Sequence, residues 1–178
     1  GLEYSTLVRF NPTIICAAAY GYRAEGPLGS KPAYDDIIQA SSGLAGLQKV
    51  IAGEPRYLPT MVVDKTTSMA FMASILAALF ERERSGLGQE IEVPMYESMV
   101  ANLMVEHLYG ETFEPPLDDL GYTRLLNMNR RPYKTKDGYI ALLPYTDRNW
   151  REFYIAIDRI ELGNDVRFSN ISNRLEHI

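Results

Sequence analysis

The sequence is poor in cysteine and histidine. One cysteine, Cys16, and two histidines, His107 and His177, occur among its 178 residues. A disulfide within the chain is therefore excluded, and Cys16 lies in an apolar run that is typical of a small buried side chain. Neither histidine has a second ligand nearby in the sequence, so we predict no metal site and no histidine-based triad. This cysteine usage favours a cytoplasmic location.

The sequence also lacks an excess of basic residues. It has 18 Lys and Arg against 23 Asp and Glu, which gives a net charge of −5. Nucleic acids and anionic membranes bind basic surfaces, so we expect neither as a partner. We see no signal-peptide pattern and no run of about 20 apolar residues in the given sequence. The chain begins at Gly1 within a helix-like pattern, and we expect it to be a fragment.

A hydrophobic content of 46% supports one sizeable domain, with or without a small appendage. Periodicity predicts a helix end within residues 2–10, strands at 13–19 and 89–95, and helices at 33–41 and 96–109. Glycines predict a loop from Gly43 to Pro59. The loop after the first strand lies where open α/β sheets place ligands, although it has no nucleotide fingerprint.

The longest pattern is a helix that starts near Asp64 and stops at Gly86. Asp64 is predicted as its N-cap and Gly86 as its C-cap. Its middle is apolar except for Ser74, which predicts a central helix buried nearly all round. The side chains expected in the core are Met69, Phe71, Met72, Ile75, Leu76, Leu79 and Phe80.

The composition changes after a polar segment at residues 111–129. A hairpin with a type I′ turn at Asp137-Gly138 follows, and Asp147 is predicted to cap a helix over residues 148–157. The hairpin is basic, which suits either a phosphate site or a solvated strand face. The basic residues are Arg130, Arg131, Lys134 and Lys136.

Several segments together resemble the family III CoA-transferases, which include formyl-CoA transferase and carnitine CoA-transferase. The resemblance lies in residues 26–43, in 64–89, where it is most specific, and in 132–140 and 165–174. It implies an α/β fold: residues 1–112 form part of a Rossmann-like large domain and 113–178 start a small α+β domain. It also implies that two chains interlock as a homodimer.

The resemblance identifies Asp64 as a catalytic residue that becomes covalently loaded, and Lys31, Tyr34 and Met95 as contacts to CoA. The substrates would be an acyl-CoA and a small carboxylic acid, with no permanently bound cofactor. Attack of a carboxylate on a thioester gives a mixed anhydride that free CoA can reopen. Aspartate is ionised at neutral pH, so this chemistry requires no histidine partner.

Two other functions remain open at this stage. Related α-methylacyl-CoA racemases pair the matching aspartate with a histidine, but this chain has Tyr34 there, and tyrosine is a poor base at neutral pH. The chain could also be a non-catalytic fragment that only binds acyl-CoA or dimerises. The glycine-rich loop that covers the aspartate in formyl-CoA transferase is not evident, and residues 120–129 occupy its place. The acceptor acid is therefore left open.

Overall fold

Two parallel strands form the centre of the first part of the chain. The structure is a computed structural model that describes residues 1–177. A short helix, α1 (Tyr4–Leu7), precedes strand β1 (Ile15–Tyr20), which pairs in parallel with β2 (Gln89–Pro94). Ile15 lies opposite Gln89 and Tyr20 opposite Pro94. Parallel strands need a long crossover, and three helices supply it. The predicted strands are confirmed.

The crossover consists of α2 (Asp35–Ser41), α3 (Leu44–Ala52) and α4 (Val62–Ser85), and α5 (Met95–His107) follows β2. A 3-10 turn, Tyr109–Thr112, comes next. The predicted helices at 33–41, 64–86 and 96–109 are confirmed, whereas the expected loop from Gly43 to Pro59 is wrong in its first half. In that half the chain forms α3, which buries Leu44. The free energy gained from this burial outweighs the cost of about 1 kcal/mol for a glycine, Gly46, inside a helix.

Gly88 brings the end of the crossover against β1. A Cβ atom at Gly88 would lie 1.8 Å from the Ile14 carbonyl oxygen, so only glycine fits there. The Gly88 N–H donates to the Pro12 carbonyl oxygen at 2.8 Å. This close approach starts the pairing of β2 with β1.

The core lies at the N-terminal end of α4. Ile38 of α2 and Val63 of α4 are fully buried, and helices α3 and α5 add further apolar side chains. The other buried members are Tyr22, Leu44, Met99 and Leu103. The first turn of α4 is therefore fixed by packing, which gives the residues on that turn a defined position.

The prediction that α4 is buried nearly all round is wrong. Four of its large side chains form one exposed stripe, with exposed fractions of 69% for Met69, 57% for Met72, 58% for Leu76 and 66% for Phe80. Phe71, Ile75 and Leu79 are half-buried. Strands β1 and β2 and helices α2 and α5 contact α4. Hydropathy shows that a side chain is apolar, and it does not show which neighbour covers it.

Helix α4 is also long and apolar enough to cross a membrane. A single helix with this property is weak evidence for a membrane span. Among the described residues α4 contacts both strands and α5, and 17% of its apolar window is buried. The expectation that the protein has no membrane partner stays a prediction.

A second compact unit begins at Asn127. Strand β3 (Tyr133–Lys134) pairs antiparallel with β4 (Tyr139–Ile140), as the predicted hairpin requires. The predicted type I′ turn is wrong, because neither Asp137 nor Gly138 has a positive φ. The expected family domain boundary after residue 112 stays a prediction about the whole protein.

Helices α6 (Asp147–Ala156) and α7 (Ile171–His177) follow in the second unit, with 3-10 turns at Ile160–Asn164 and Val166–Phe168 between them. Thr146, and not Asp147, caps α6, because its side chain forms a reciprocal capping box with Asn149. Asp147 instead accepts a hydrogen bond from the buried Arg174 guanidinium of α7. Burial raises the pKa of Tyr154 on α6.

Burial predicts unequal costs for two adjacent isoleucines of α2. Ile38→Ala leaves a cavity at a fully buried site and is expected to lower the free energy of unfolding by about 2–5 kcal/mol. Ile37 is 40% exposed, so Ile37→Ala should cost less than about 1 kcal/mol. Chemical denaturation measures both values. Equal losses would contradict the core described here.

The Asp165 and Arg167 ion pair predicts an acid-sensitive contact in the second unit. Hydrogen bonds from Arg167 lower the pKa of Asp165 from 3.8 to about 2. Since the folded-state pKa is lowered, the pair stabilises the fold above about pH 3.8, and this effect is lost as the pH falls toward 2. An NMR titration should give a pKa near 2 that returns toward 3.8 in Arg167→Met. An unchanged pKa in that variant would contradict the assignment.

Candidate functional site

Asp64 lies in the first turn of α4, not at its N-cap as the sequence predicted. The N-cap is Met61, because the helix begins at Val62. The Asp64 side chain is exposed, and no group within residues 1–177 forms a hydrogen bond or ion pair with its carboxylate. The helix dipole stabilises an anion at this position. The carboxylate is thus available to react.

The side chain that caps α4 comes from another helix. Asp35, the first residue of α2, accepts hydrogen bonds through Oδ2 from the backbone N–H groups of Val63 at 2.9 Å and Asp64 at 3.1 Å. Asp35 is only 8% exposed. Sequence reasoning missed this role. The signal was a carboxylate three positions before Ile38 on the buried face of α2, where it requires hydrogen-bond donors.

Gln39 continues this network on the next turn of α2. Its Nε2 donates to Asp35 Oδ1 at 2.5 Å, and its Oε1 accepts from the Leu58 N–H at 2.8 Å. Gln39 is 1% exposed. The network therefore connects the segment before α4 to the first turn of α4 through two buried side chains.

The N–H groups at the start of α4 are all engaged. Val62 donates to the Thr60 carbonyl oxygen at 2.8 Å and Lys65 to the Met61 carbonyl oxygen at 3.3 Å. With the two amides bound by Asp35, none in the first turn is free to bind a substrate anion. This helix terminus therefore presents a carboxylate, not an anion site.

Two of the predicted CoA contacts belong to the segment that leads into α2. Tyr34 is the N-cap residue of α2 and is 75% exposed, and it directly precedes Asp35. Lys31 is exposed in the preceding loop. The Asp35 bond to α4 brings the backbone at Tyr34 near that of Asp64. Their roles as CoA contacts stay predictions.

Met95, the third predicted contact, is the first residue of α5 and packs against the core cluster. It follows β2 directly, so it lies at the carboxyl end of the two parallel strands, where ligands commonly bind. The loop after β1 is anchored at the same end, because the Ala24 N–H donates to Glu92 Oε1 at 2.5 Å. The role of Met95 also stays a prediction.

His107, the last residue of α5, is buried. Its Nδ1 accepts from the Tyr122 N–H at 3.2 Å, and its carbonyl oxygen accepts from the Gly121 N–H at 2.8 Å. These bonds anchor the start of residues 120–129 to the end of α5. Among residues 1–177, no three His, Cys, Asp or Glu side chains form a metal-ligand group. The absence of a metal stays a prediction.

A surface pocket of about 320 Å³ lies at the hairpin of the second unit. It is lined by Arg131, Pro132, Tyr133, Lys134 and Tyr139. Every residue from 131 to 140 is exposed, which suits a solvated strand face. The alternative of a phosphate site stays a prediction.

The CoA-transferase family III model matches residues 1–178. Acetyl-CoA:oxalate CoA-transferase of Acetobacter aceti is 36% identical over 98% of this chain and 45% of its own length. The probable fatty acyl-CoA transferase Rv3272 of Mycobacterium tuberculosis is 29% identical over 98% of this chain and 47% of its own length.

Two solved structures extend this comparison. A crystal structure of Rv3272 is 28% identical, with a TM-score of 0.82 over 99% of this chain and 46% of that one. A CAIB/BAIF family protein from Brucella suis, 24% identical, matches in fold with a TM-score of 0.76 over 98% of this chain and 46% of that one. The chain thus spans about half the length of the relatives it matches. The predicted α/β fold is confirmed, and the chain belongs to CoA-transferase family III.

Proposed function

We propose that the whole protein is a CoA-transferase that moves CoA from an acyl-CoA thioester to a small carboxylic acid, with Asp64 as nucleophile. The observation that carries this proposal is the exposed, unbonded carboxylate of Asp64 on a helix turn whose backbone is fixed by Asp35. Relatives named CoA-transferases support the reaction class, and their different named substrates leave the acids open.

In the first half-reaction an oxygen of Asp64 attacks the thioester carbonyl carbon. The C–S bond breaks, CoA leaves as a thiolate, and an acyl-aspartyl anhydride forms. The thiolate then attacks the aspartyl carbonyl carbon, the C–O bond to the donor acid breaks, and the donor leaves as a carboxylate. Asp64 is left as an aspartyl-CoA thioester.

The second half-reaction repeats these steps in reverse order with the acceptor acid. The acceptor carboxylate attacks the aspartyl thioester, CoA leaves as a thiolate, and a new anhydride forms. The thiolate attacks the acceptor's carbonyl carbon and frees the Asp64 carboxylate. Every nucleophile and leaving group is an anion, so no general acid or base is required.

The three remaining site residues have proposed roles in binding CoA as a substrate. Lys31 supplies a cation for a phosphate group, exposed Tyr34 supplies an aromatic face and a hydroxyl, and Met95 supplies an apolar contact. No permanently bound cofactor is needed. A cytoplasmic location and the absence of nucleic-acid partners stay predictions.

The racemase function is not favoured. The relatives reported above are named CoA or acyl-CoA transferases, and the position of the racemase histidine holds Tyr34. A whole protein that binds acyl-CoA without transferring it is the competing outcome of the following test.

Asp64→Asn is expected to remove nearly all transfer activity of the whole protein, because the amide cannot act as the anionic nucleophile. The free energy of unfolding should change by less than about 1 kcal/mol, since the side chain is exposed. Asp36→Asn is the matched control: it removes another exposed carboxylate from a first helical turn and should leave activity unchanged. Product formation is followed by mass spectrometry over a panel of acyl-CoA thioesters and carboxylates.

Trapping with hydroxylamine identifies the residue that becomes covalently bound to the acyl or CoA group. Hydroxylamine converts an aspartyl thioester or anhydride to a hydroxamate, so wild-type protein incubated with acyl-CoA should carry this mass change on the peptide that contains Asp64. Label on another carboxylate, or an active Asn variant, would show that Asp64 is not the nucleophile.

We also propose that the whole protein is an interlocked homodimer in which the exposed stripe of α4 is covered. Met69, Met72, Leu76 and Phe80 all lie on this stripe, and contiguous apolar surfaces of this kind mark interaction sites. The stripe supports the assembly implied by the family resemblance.

The 178-residue chain is therefore expected to self-associate and to bind a hydrophobic dye. Leu76→Glu places a charge on the stripe and should weaken both effects. Leu117→Glu changes a leucine outside α4 that is more exposed than Leu76, 73% against 58%, and should leave both unchanged. Light scattering and dye fluorescence measure the two effects. A wild-type monomer without dye binding would contradict the covered stripe.

A further inference from the structure

Two buried side chains control the terminus on which Asp64 lies. Asp35 binds the N–H groups of Val63 and Asp64, and Gln39 connects Asp35 to the Leu58 N–H. Every carboxylate and amide oxygen of this pair thereby has a donor. The orientation of the Asp35 carboxylate is fixed from both sides.

The choice of a charged residue at this buried position requires an explanation. A helix N-terminus is satisfied equally well by a neutral serine or asparagine, and burying a carboxylate has a larger desolvation cost. Asp35 is 8% exposed, so it incurs most of that cost. A second acid already lies in the same turn, because Asp64 is the third residue of α4. The dipole of α4 alone therefore does not require Asp35.

The geometry shows what Asp35 prevents. The free N–H groups of a helix's first turn attract a carboxylate on that turn. Those N–H groups are occupied by Asp35, and the Asp64 carboxylate has no partner within the part of the chain that the structure describes. A carboxylate whose oxygens accept hydrogen bonds is a weaker nucleophile, because the bonds stabilise its anionic form.

We propose that Asp35 caps α4 in place of Asp64, and that Gln39 fixes the Asp35 carboxylate in the capping orientation. Asp35 and Gln39 are then positioning residues: they keep both Asp64 oxygens free and fix the backbone from which they project. This inference rests on the proposed role of Asp64 as nucleophile.

The arrangement also suits a residue that changes charge during the reaction. Asp64 loses its negative charge when it becomes an anhydride or a thioester. Asp35 keeps an anion at the start of α4 throughout, so the helix dipole and the two N–H groups remain satisfied in every intermediate. The position of the first turn is therefore independent of the covalent state of Asp64.

Exchange of the two polar side chains tests the inference in the whole protein. In Asp35→Asn the new amide group faces the Gln39 Nε2 donor, so the bond between them is lost. We expect kcat to fall about 10–100-fold because Asp64 is misplaced, with KM for acyl-CoA within about threefold. The double variant Asp35→Asn, Gln39→Glu restores a donor and acceptor at every contact. It should recover kcat to within about threefold of wild type.

Gln39→Met is a second, near-isosteric variant that leaves the Asp35 charge in place. It removes both Gln39 hydrogen bonds and should lower kcat about 3–10-fold with KM unchanged, even where Asp35→Asn fails to fold. Thermal melts monitor folding, and the rate of hydroxamate formation on Asp64 should fall in parallel with kcat in each folded variant.

Three results would overturn the inference: wild-type kcat in folded Asp35→Asn, wild-type kcat in Gln39→Met, or no recovery in the folded double variant. The proposed function is tested separately by Asp64→Asn. If that variant is inactive while Asp35→Asn and Gln39→Met are fully active, the nucleophile is correct and only the positioning role is wrong.

Discussion

The carboxylate of Asp35 on the first turn of α4 is the contact on which the candidate site depends. It joins α2 to α4 through the N–H groups of Val63 and Asp64. Ile38 and Val63 pack in the core beside this contact, so the polar bond and the apolar packing fix the same turn. Hydrogen bonds are directional, whereas the hydrophobic effect that drives apolar burial is not. The core supplies most of the stability, and Asp35 supplies the alignment.

Local patterns predicted much of the fold because its signals lie within a few residues. The alternation of β2 and the stop of α4 at Gly86 are of this kind, and both are confirmed. Helix α3 was missed because its glycines resemble a loop, and only the burial of Leu44 reveals the helix. In the candidate site, the sequence predicted the position of Asp64 in α4 to within one helical turn. Its capping partner is 29 residues away in the sequence, so no local pattern predicts that contact.

Helix α4 shows the same limit on a larger scale. Its apolar middle correctly predicted a helix that packs, but the described residues cover only one of its sides. An apolar stripe identifies a surface that avoids water, and its spacing is the same whether the cover is the same chain, a second copy or a lipid. Composition therefore predicts the existence of a contact more reliably than the identity of the partner.

The proposed reaction requires no proton transfer, but it does require stabilisation of an oxyanion. Each displacement passes through a tetrahedral intermediate whose negative oxygen requires hydrogen-bond donors. The start of a helix is a common source of such donors. Here the amides of Val62 and Lys65 bond within the chain and those of Val63 and Asp64 bond Asp35, so the first turn of α4 has none to offer. The helix terminus therefore positions the nucleophile, and the donors for the oxyanion lie outside the first turn of α4.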